Sequence, residues 1–385
     1  MWRHLASNAL TFLLVVLFLS AGAVAWSVQQ YSAPGPLAQG ICLQVRSNSN
    51  MRQVSEDLVS QGAVRSGALF RMGADYTDKT RLLKAGSFLI DDGASMEEIV
   101  DTVTRGGANT CGTEVIYRVG VRANRVEVRE LDPATGRYVD VAEFVPGEDE
   151  APEDYARVLE QSDTRLRLAI AEGVTSWQIA RALEEIDVLD GAVAETPAEG
   201  SLAPNSYEFA AGQSRQALLE RMAEAQARVL AEAWERRASD APVETPEEAL
   251  ILASLIEKET GVAEERGQVA SVFANRLKEG MRLQTDPAVI YGVTNGEGIL
   301  GRGLRRSELD RPTPYNTYLI DGLPPTPIAN PGRESIEAAL NPAETDYLYF
   351  VADGTGGHAF ARTLREHNEN VAAWRAIEAQ RASDG

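Results

Sequence analysis

Two cysteines and three histidines are all that 385 residues offer for soft metal ligation, and no spacing among them matches a zinc site. No metal is expected. No Walker-type or Rossmann-type glycine loop stands at a strand–helix junction, so no organic cofactor is expected either. Positive charge is scarce: 37 Lys and Arg face 57 Asp and Glu, a formal net charge of −20. Phosphate backbones would be repelled, which argues against nucleic acid as a partner. The same deficit argues against a polybasic grip on anionic lipid. The apolar fraction is ordinary, and the length allows two or three folded domains.

One long uncharged run is present, LTFLLVVLFLSAGAVAWSV from Leu10 to Val28. It is about long enough to cross a bilayer as a helix. Arg3 and His4 precede it, and no charge follows until Arg46. That bias predicts a cytoplasmic N-terminus and an exported body. Ala23-Val24-Ala25 has the small-x-small look of a signal-peptidase site, but the run length favours a retained anchor. Cys42 and Cys111 would then meet an oxidising compartment. They bracket one small module, either as a disulfide or as two separate core thiols; the sequence leaves both open.

Tyr31 to Gly40, rich in Pro, Gly and Ala, reads as a flexible stalk. A pattern then recurs: Ser49–Leu58 into Gly62-Ala63-Val64, Gly93–Val100 into Gly106, and Gly173–Leu183 into Val188. Each has a Ser, Thr or Asn near the start of a short amphipathic helix and a Gly or β-branched residue near its end. Cys42–Arg46, Gly86–Ile90 and Glu114–Val119 are strand candidates. Arg125–Leu131 and Tyr138–Val141 alternate strictly about Asp132–Gly136, a hairpin with polar faces. Gly147–Asp154 is an acidic surface loop. Gln216–Arg236 is an amphipathic packing helix.

Thr245-Pro246-Glu247-Glu248 carries an N-cap, a first-turn Pro and the Glu of a capping box, opening a helix that runs to about Thr260. Its apolar stripe is Leu252, Leu255 and Ile256, and Glu259 continues that stripe. Glu257 lies about 200° around the helix, on a side read as wetter. A carboxyl buried against apolar side chains has a raised pKa and can protonate a leaving oxygen near neutral pH. Glu259 therefore suits a general acid for a glycosidic bond, then a base. An ordinary glycosidase needs a second carboxylate; Asp286 and Glu264 are the candidates, and spacing does not decide between them. One acid suffices if the nucleophile is an intramolecular hydroxyl of the substrate. The bland alternative for Glu259 is an ion partner for Arg266 or for the helix that bears Arg276. Gln284-Thr285-Asp286-Pro287 reads as a turn presenting polar side chains. The Pro-rich stretches 312–318 and 322–332 read as a site wall or as a rigid surface loop. Tyr347–Val351 reads as a buried strand. His358 follows a glycine turn, either as a substrate ligand or as a satisfied structural His.

These blocks resemble the endolytic murein transglycosylases of the MltG/YceG-like family over about Leu250 to Asn368. The matching segments are Glu257–Thr260 (EKET), Val272–Leu277, Gly280–Gly292, Tyr315–Tyr318 (YNTY), Gly322–Gly332 and Tyr347–Phe360. Glu172-Gly173 and Glu199–Tyr207 also look like family blocks, and Cys42–Gly106 is similar to the family's LysM-like part. The chain departs from the pattern between about Gly120 and Arg165, and at Ala203. The resemblance implies a lytic transglycosylase cutting the MurNAc–GlcNAc β-1,4 bond of peptidoglycan strands, with the MurNAc C6 hydroxyl attacking to leave a 1,6-anhydro end. It places the catalytic acid on Glu259, in agreement with the helix-face argument. It also implies an inner-membrane anchor, a periplasmic catalytic domain and work beside peptidoglycan synthases.

The expected architecture is α+β. It comprises a cytoplasmic N-terminus at 1–9, an anchor at 10–28, a linker at 29–40 and a LysM-like module at 41–119. An inserted hairpin and acidic loop follow at 120–165, then connecting helices at 166–240. A mixed α/β catalytic domain occupies 241–375, with a tail at 376–385. Gln284, Thr285, Asp286, Tyr315 and Asn316 are expected to position substrate. A scaffold that binds peptidoglycan without cutting it, and a two-carboxylate hydrolase, are the competing readings.

Overall fold

The computed structural model describes residues 2–46, 48–105, 111–161 and 164–384. The fold is α+β, and contacts divide the chain into two compact units. The first comprises Met1–Val115, Glu127–Glu143 and Ala151–Arg165; the second comprises Ile116–Val126, Phe144–Glu150 and Leu166–Gly385.

The first unit begins with α1 (Trp2–Ser32), which contains the apolar span Thr11–Ser32, long and apolar enough to cross a membrane. Next come β1 (Ile41–Val45), α2 (Met51–Ser60), α3 (Gly67–Tyr76), β2 (Gly86–Ile90) and α4 (Met96–Thr104). β1 and β2 pair antiparallel, with Leu43 opposite Phe88. Leu43, Leu58, Phe70, Phe88, Ile90 and Ile99 form the centre of a shared core. The helix starts expected from the recurring pattern are built as full capping boxes: Asn50 with Gln53, Ser95 with Glu98 and, in the second unit, Thr175 with Gln178. Each satisfies orphan amides that a helix start otherwise leaves unpaired. Gly62 closes the first with φ 72°; Gly106 lies outside the described residues.

One expectation is corrected in this unit, and one left open is decided. The stalk at 31–40 is strapped down rather than flexible. Gly35 N donates to Gly93 O, Gly93 N donates to Leu37 O, and Leu37 packs on the core. A Cβ at Gly35 would lie 2.2 Å from Ala94 O, so only glycine permits this approach. Cys42 and Cys111 are joined as a disulfide, with Cα atoms 5.6 Å apart and a sequence separation of 69.

β3 (Thr113–Val119), β4 (Asn124–Asp132), β5 (Arg137–Phe144), β6 (Arg165–Ile170) and β7 (Ser206–Phe209) form one sheet in the order β5-β4-β3-β6-β7. The expected hairpin is thus β4–β5. Its turn is made by Asp132, whose carboxylate accepts from Ala134 N and Thr135 Oγ1, and by Gly136 at φ 64°. The hairpin is not set apart from the fold, because β4 continues the sheet beside β3. A short helix, α5 (Glu153–Leu159), precedes β6.

In the second unit, α6 (Ser176–Glu185) is closed by buried Arg215, whose guanidinium donates to the carbonyls of Leu183, Ile186, Leu189 and Gly191. α7 (Arg215–Glu235), α8 (Pro246–Glu259), α9 (Arg266–Lys278) and α12 (Arg333–Leu340) carry the main core, with Leu252, Leu255, Ile256, Phe273 and Ile336 inside it. Between α9 and α12 lie α10 (Asp286–Thr294) and α11 (Arg306–Leu309). β8 (Tyr349–Ala352) and β9 (His358–Ala361) form a hairpin, and α13 (Leu364–Asp384) follows. β8 is half-buried along its length rather than fully buried, because it belongs to a two-stranded ribbon.

Closing a loop of this length removes about 4 kcal/mol of chain entropy from the unfolded state. The double variant Cys42→Ser/Cys111→Ser is expected to lose stability of that order, read as a lower urea midpoint that matches the reduced wild type.

Candidate active site

Helix α8 sets the site. Thr245 Oγ1 accepts from Glu248 N at 3.1 Å and Pro246 occupies the first turn. The expected capping box is only half made, because the Glu248 carboxylate reaches Glu244 N at 2.7 Å instead of the cap residue. α8 is buried nearly all round: Ile251 to Ile256 are all inside. The side expected to be wetter is dry only at Ser254, which is fully buried, donating to Ile251 O and accepting from Ile328 N, while Glu257 and Lys258 are partly exposed and Gly261 is exposed. The two glutamates nevertheless part company as expected. Glu257 accepts from Gly332 N at 3.0 Å, whereas Glu259 accepts from Thr285 Oγ1.

Glu259 keeps partial solvent exposure at the end of α8. Its pKa is raised from 4.5 to about 6, chiefly by burial. The Thr285 hydrogen bond pulls it down, the nearby Asp286 charge pushes it up, and His358 and Arg276 pull it down. The carboxylate also stands in the last helical turn, where carbonyl dipoles disfavour negative charge. Among the described residues no ion pair holds it. Arg266, the partner of the bland reading, pairs with Glu334.

A lattice of backbone and hydroxyl bonds fixes Thr285. Thr317 Oγ1 accepts from Thr285 N and donates to Thr285 O, both at 3.0 Å, while Gln284 N donates to Thr317 O at 3.1 Å. This pairing holds Gln284 in the left-handed region, with φ 49°, so that Thr285 caps α10. Arg276 braces the same segment from α9. It donates to Leu283 O at 2.8 Å and Leu348 O at 2.7 Å, with Tyr349 stacked 5.3 Å from its guanidinium. Tyr318 OH donates to Asp286 at 2.7 Å, and burial with the adjacent carboxylates drives the phenol pKa upward, so it stays a donor.

Of the residues expected to position substrate, Gln284 and Asp286 are exposed and flank Thr285, which is buried against Glu259. Tyr315 is half-buried in an aromatic wall, 5.0 Å from Tyr291, with its hydroxyl bonded to Thr326 Oγ1. Asn316 has nothing to offer a ligand. It is fully buried, its amide donates to the carbonyls of Leu309 and Arg311, and its oxygen accepts from Tyr318 N. Its work is to shape the loop. Glu264 is exposed, whereas its neighbour Glu265 accepts from His358 N and contacts Nδ1, both at 2.9 Å. His358 is therefore held by a carboxylate. The stretch 322–332 is a wall packed inward: Ile328, Ala329 and Asn330 are buried. Asn330 ties it to Val174 O, Ser176 Oγ and Leu202 N.

Thr317, Tyr318 and Arg276 were missed as site residues. Thr317 and Tyr318 are the other half of YNTY, and no local signal in that segment separates them from Tyr315 and Asn316.

The YceG-like family model matches residues 143–373, and the chain belongs to that family. The endolytic murein transglycosylase of Bacillus subtilis (strain 168) is 50% identical over 121 residues, covering 31% of this chain and 32% of that protein. The endolytic murein transglycosylase of Streptococcus pneumoniae serotype 2 (strain D39) is 28% identical over 382 residues, covering 96% of this chain and 65% of that protein. The chain thus spans less than two thirds of the length of either relative. A crystal structure of a yceG-like protein from Listeria monocytogenes aligns at 26% identity and a TM-score of 0.46, over 86% of this chain and 99% of that one.

Two outcomes test the electrostatics. Below pH 4.5 Glu259 is protonated in folded and unfolded chains alike and costs nothing. Between 4.5 and about 6 the unfolded chain ionises first, so above about 6 the folded state carries the full cost. That difference corresponds to about 2 kcal/mol, discounted to about 1 for partial exposure. Glu259→Gln is expected to be more stable than wild type by about 1–2 kcal/mol at pH 8 and equal to it at pH 4, by urea unfolding. Thr285→Val removes a bond that lowers the Glu259 pKa, so the titration of the Glu259 carboxyl, followed by 13C NMR, is expected to move to higher pH.

Proposed function

We propose that the chain is a peptidoglycan lytic transglycosylase, anchored by α1 in the inner membrane with its second unit in the periplasm. The observation that carries this reading is the Glu259 carboxyl, poised near pKa 6 and, among the described residues, held by the Thr285 hydroxyl with no cation bonded to it. Membership of a family whose named relatives are endolytic murein transglycosylases supports the substrate class. Protonated Glu259 gives its proton to the oxygen of the MurNAc–GlcNAc bond as the C1–O bond breaks. The resulting carboxylate takes the proton of the MurNAc C6 hydroxyl as that oxygen bonds to C1. The products are a free GlcNAc 4-hydroxyl and a 1,6-anhydroMurNAc end, with no water consumed.

The nucleophile belongs to the substrate, so proximity replaces the second carboxylate that a hydrolase needs. Asp286 is engaged by Tyr318 and is proposed, with Gln284, to orient the sugar rather than to activate water. Thr285 sets the Glu259 rotamer and proton affinity. Tyr315 offers a sugar-stacking face beside Tyr291. The β1–β2 module resembles a LysM-like unit and is proposed to hold glycan while the second unit cuts. Peptidoglycan synthases supplying nascent strands are the proposed neighbours.

Purified glycan strands digested by the wild type and analysed by mass spectrometry are expected to gain anhydro ends. Glu259→Gln is expected to lose about 100- to 10,000-fold of the rate. Glu257→Gln keeps an oxygen for Gly332 N and is expected to retain most activity. Reducing-end products would favour the hydrolase, and wild-type protein that binds strands without cutting them would favour the scaffold. Because the reactive form is the protonated one, wild-type rate is expected to fall as pH rises through about 6.

A further inference from the structure

We infer that the first unit rests on the membrane, with helix α3 lying in the lipid interface beside the anchor. This rests on the proposed membrane-spanning role of α1. α1 is a continuous helix from Trp2 to Ser32, and its apolar span runs to its end. Its last turns pack on the first unit, where Tyr31 fits a space over Gly73 that a Cβ would fill, at 2.0 Å from the ring. An apolar groove opens between Ala23, Val24 and Val28 of α1 and Leu69, Met72 and Tyr76 of α3.

The α3 residues recur at helical spacing on one face, while Phe70 and Ala74 take the core face. Met72 is 56% exposed and Tyr76 is 90% exposed. Such a pair on one stripe is more than scattered surface apolarity. Position along the anchor identifies the occupant. Residues 23–28 lie in the C-terminal half of the 22-residue span Thr11–Ser32, one turn short of its end, and about 20 residues are needed to cross the hydrocarbon. If they lie at the acyl–headgroup boundary, whatever packs beside them lies at the same depth. The strap from Gly35 through Leu37 to Gly93 keeps the module from swinging away. Tyr and Met suit that depth, one with a polar tip and the other with a pliable apolar stem. The occupant is therefore lipid, and the seat is apolar rather than electrostatic, consistent with a net charge of −20.

The test uses the full chain in phosphatidylcholine nanodiscs. Single cysteines at Leu17→Cys, Val59→Cys, Met72→Cys and Tyr76→Cys take a nitroxide, while Cys42 and Cys111 stay locked in their disulfide. Relaxation by oxygen, which partitions into lipid, is compared with relaxation by a water-soluble nickel chelate. The oxygen-to-nickel ratio at 72 and 76 is expected to lie severalfold above that at 59, approaching that at 17. A ratio at 72 and 76 equal to that at 59, with 17 deep in lipid, overturns the inference and leaves the anchor standing. Low access to both quenchers at 72 and 76 means that protein fills the groove, which also overturns it. Water-like access at 17 overturns the anchor reading itself, and the inference with it.

Discussion

The cost of burying one carboxylate organises the second unit. Glu259 stands where the helix dipole and the surrounding protein both disfavour its charge, and one hydroxyl from Thr285 is the hydrogen bond that holds it. A cation in hydrogen-bonding reach would drop the pKa and abolish the acid. The basic groups whose charge reaches it are occupied elsewhere: His358 on Glu265, and Arg276 on main-chain carbonyls and the Tyr349 ring. Buried Arg276 is thus spent on backbone carbonyls, and the Glu259 carboxyl keeps its raised pKa. Stability is given up at that position, and the proposed proton-donor role of Glu259 would draw on it.

Everything that positions Thr285 serves the same end. The Thr317 hydroxyl bonds both the N–H and the carbonyl of Thr285, Arg276 pins the Leu283 carbonyl two residues earlier, and the buried amide of Asn316 fixes the turn that carries Thr317. These are donors locked by backbone partners, so the geometry around Glu259 needs little reorganisation when charge moves. On the opposite side of α8, Glu257 and Lys258 are tied to Gly332 N and Gly173 O. Those bonds keep the helix from rotating and so keep Glu259 aimed.

Much of this was legible in the sequence, for identifiable reasons. Glu259 was readable because it continues the stripe of Leu252, Leu255 and Ile256, and helix periodicity is a strong signal. The three capped helix starts were readable because an Asn, Ser or Thr followed three residues later by Gln or Glu has one local meaning. What failed depends on contacts distant in sequence. Nothing local says that Gly35 will meet Ala94, so a strap read as a flexible stalk. Nothing in YNTY says that Asn316 faces inward while Thr317 and Tyr318 reach Thr285 and Asp286. The burial of Ser254 on the second side of α8 follows from Ile328 approaching it, 74 residues away.

The proposed single acid, with its nucleophile supplied by the substrate, makes a claim about oxygen atoms. Glycan strands digested in 18O-labelled water decide it directly, because a transglycosylase builds its new end from the substrate's own hydroxyl. The account predicts anhydro ends free of 18O. New reducing ends carrying 18O would contradict it, and would make Asp286 a base for water instead of a group that orients the sugar.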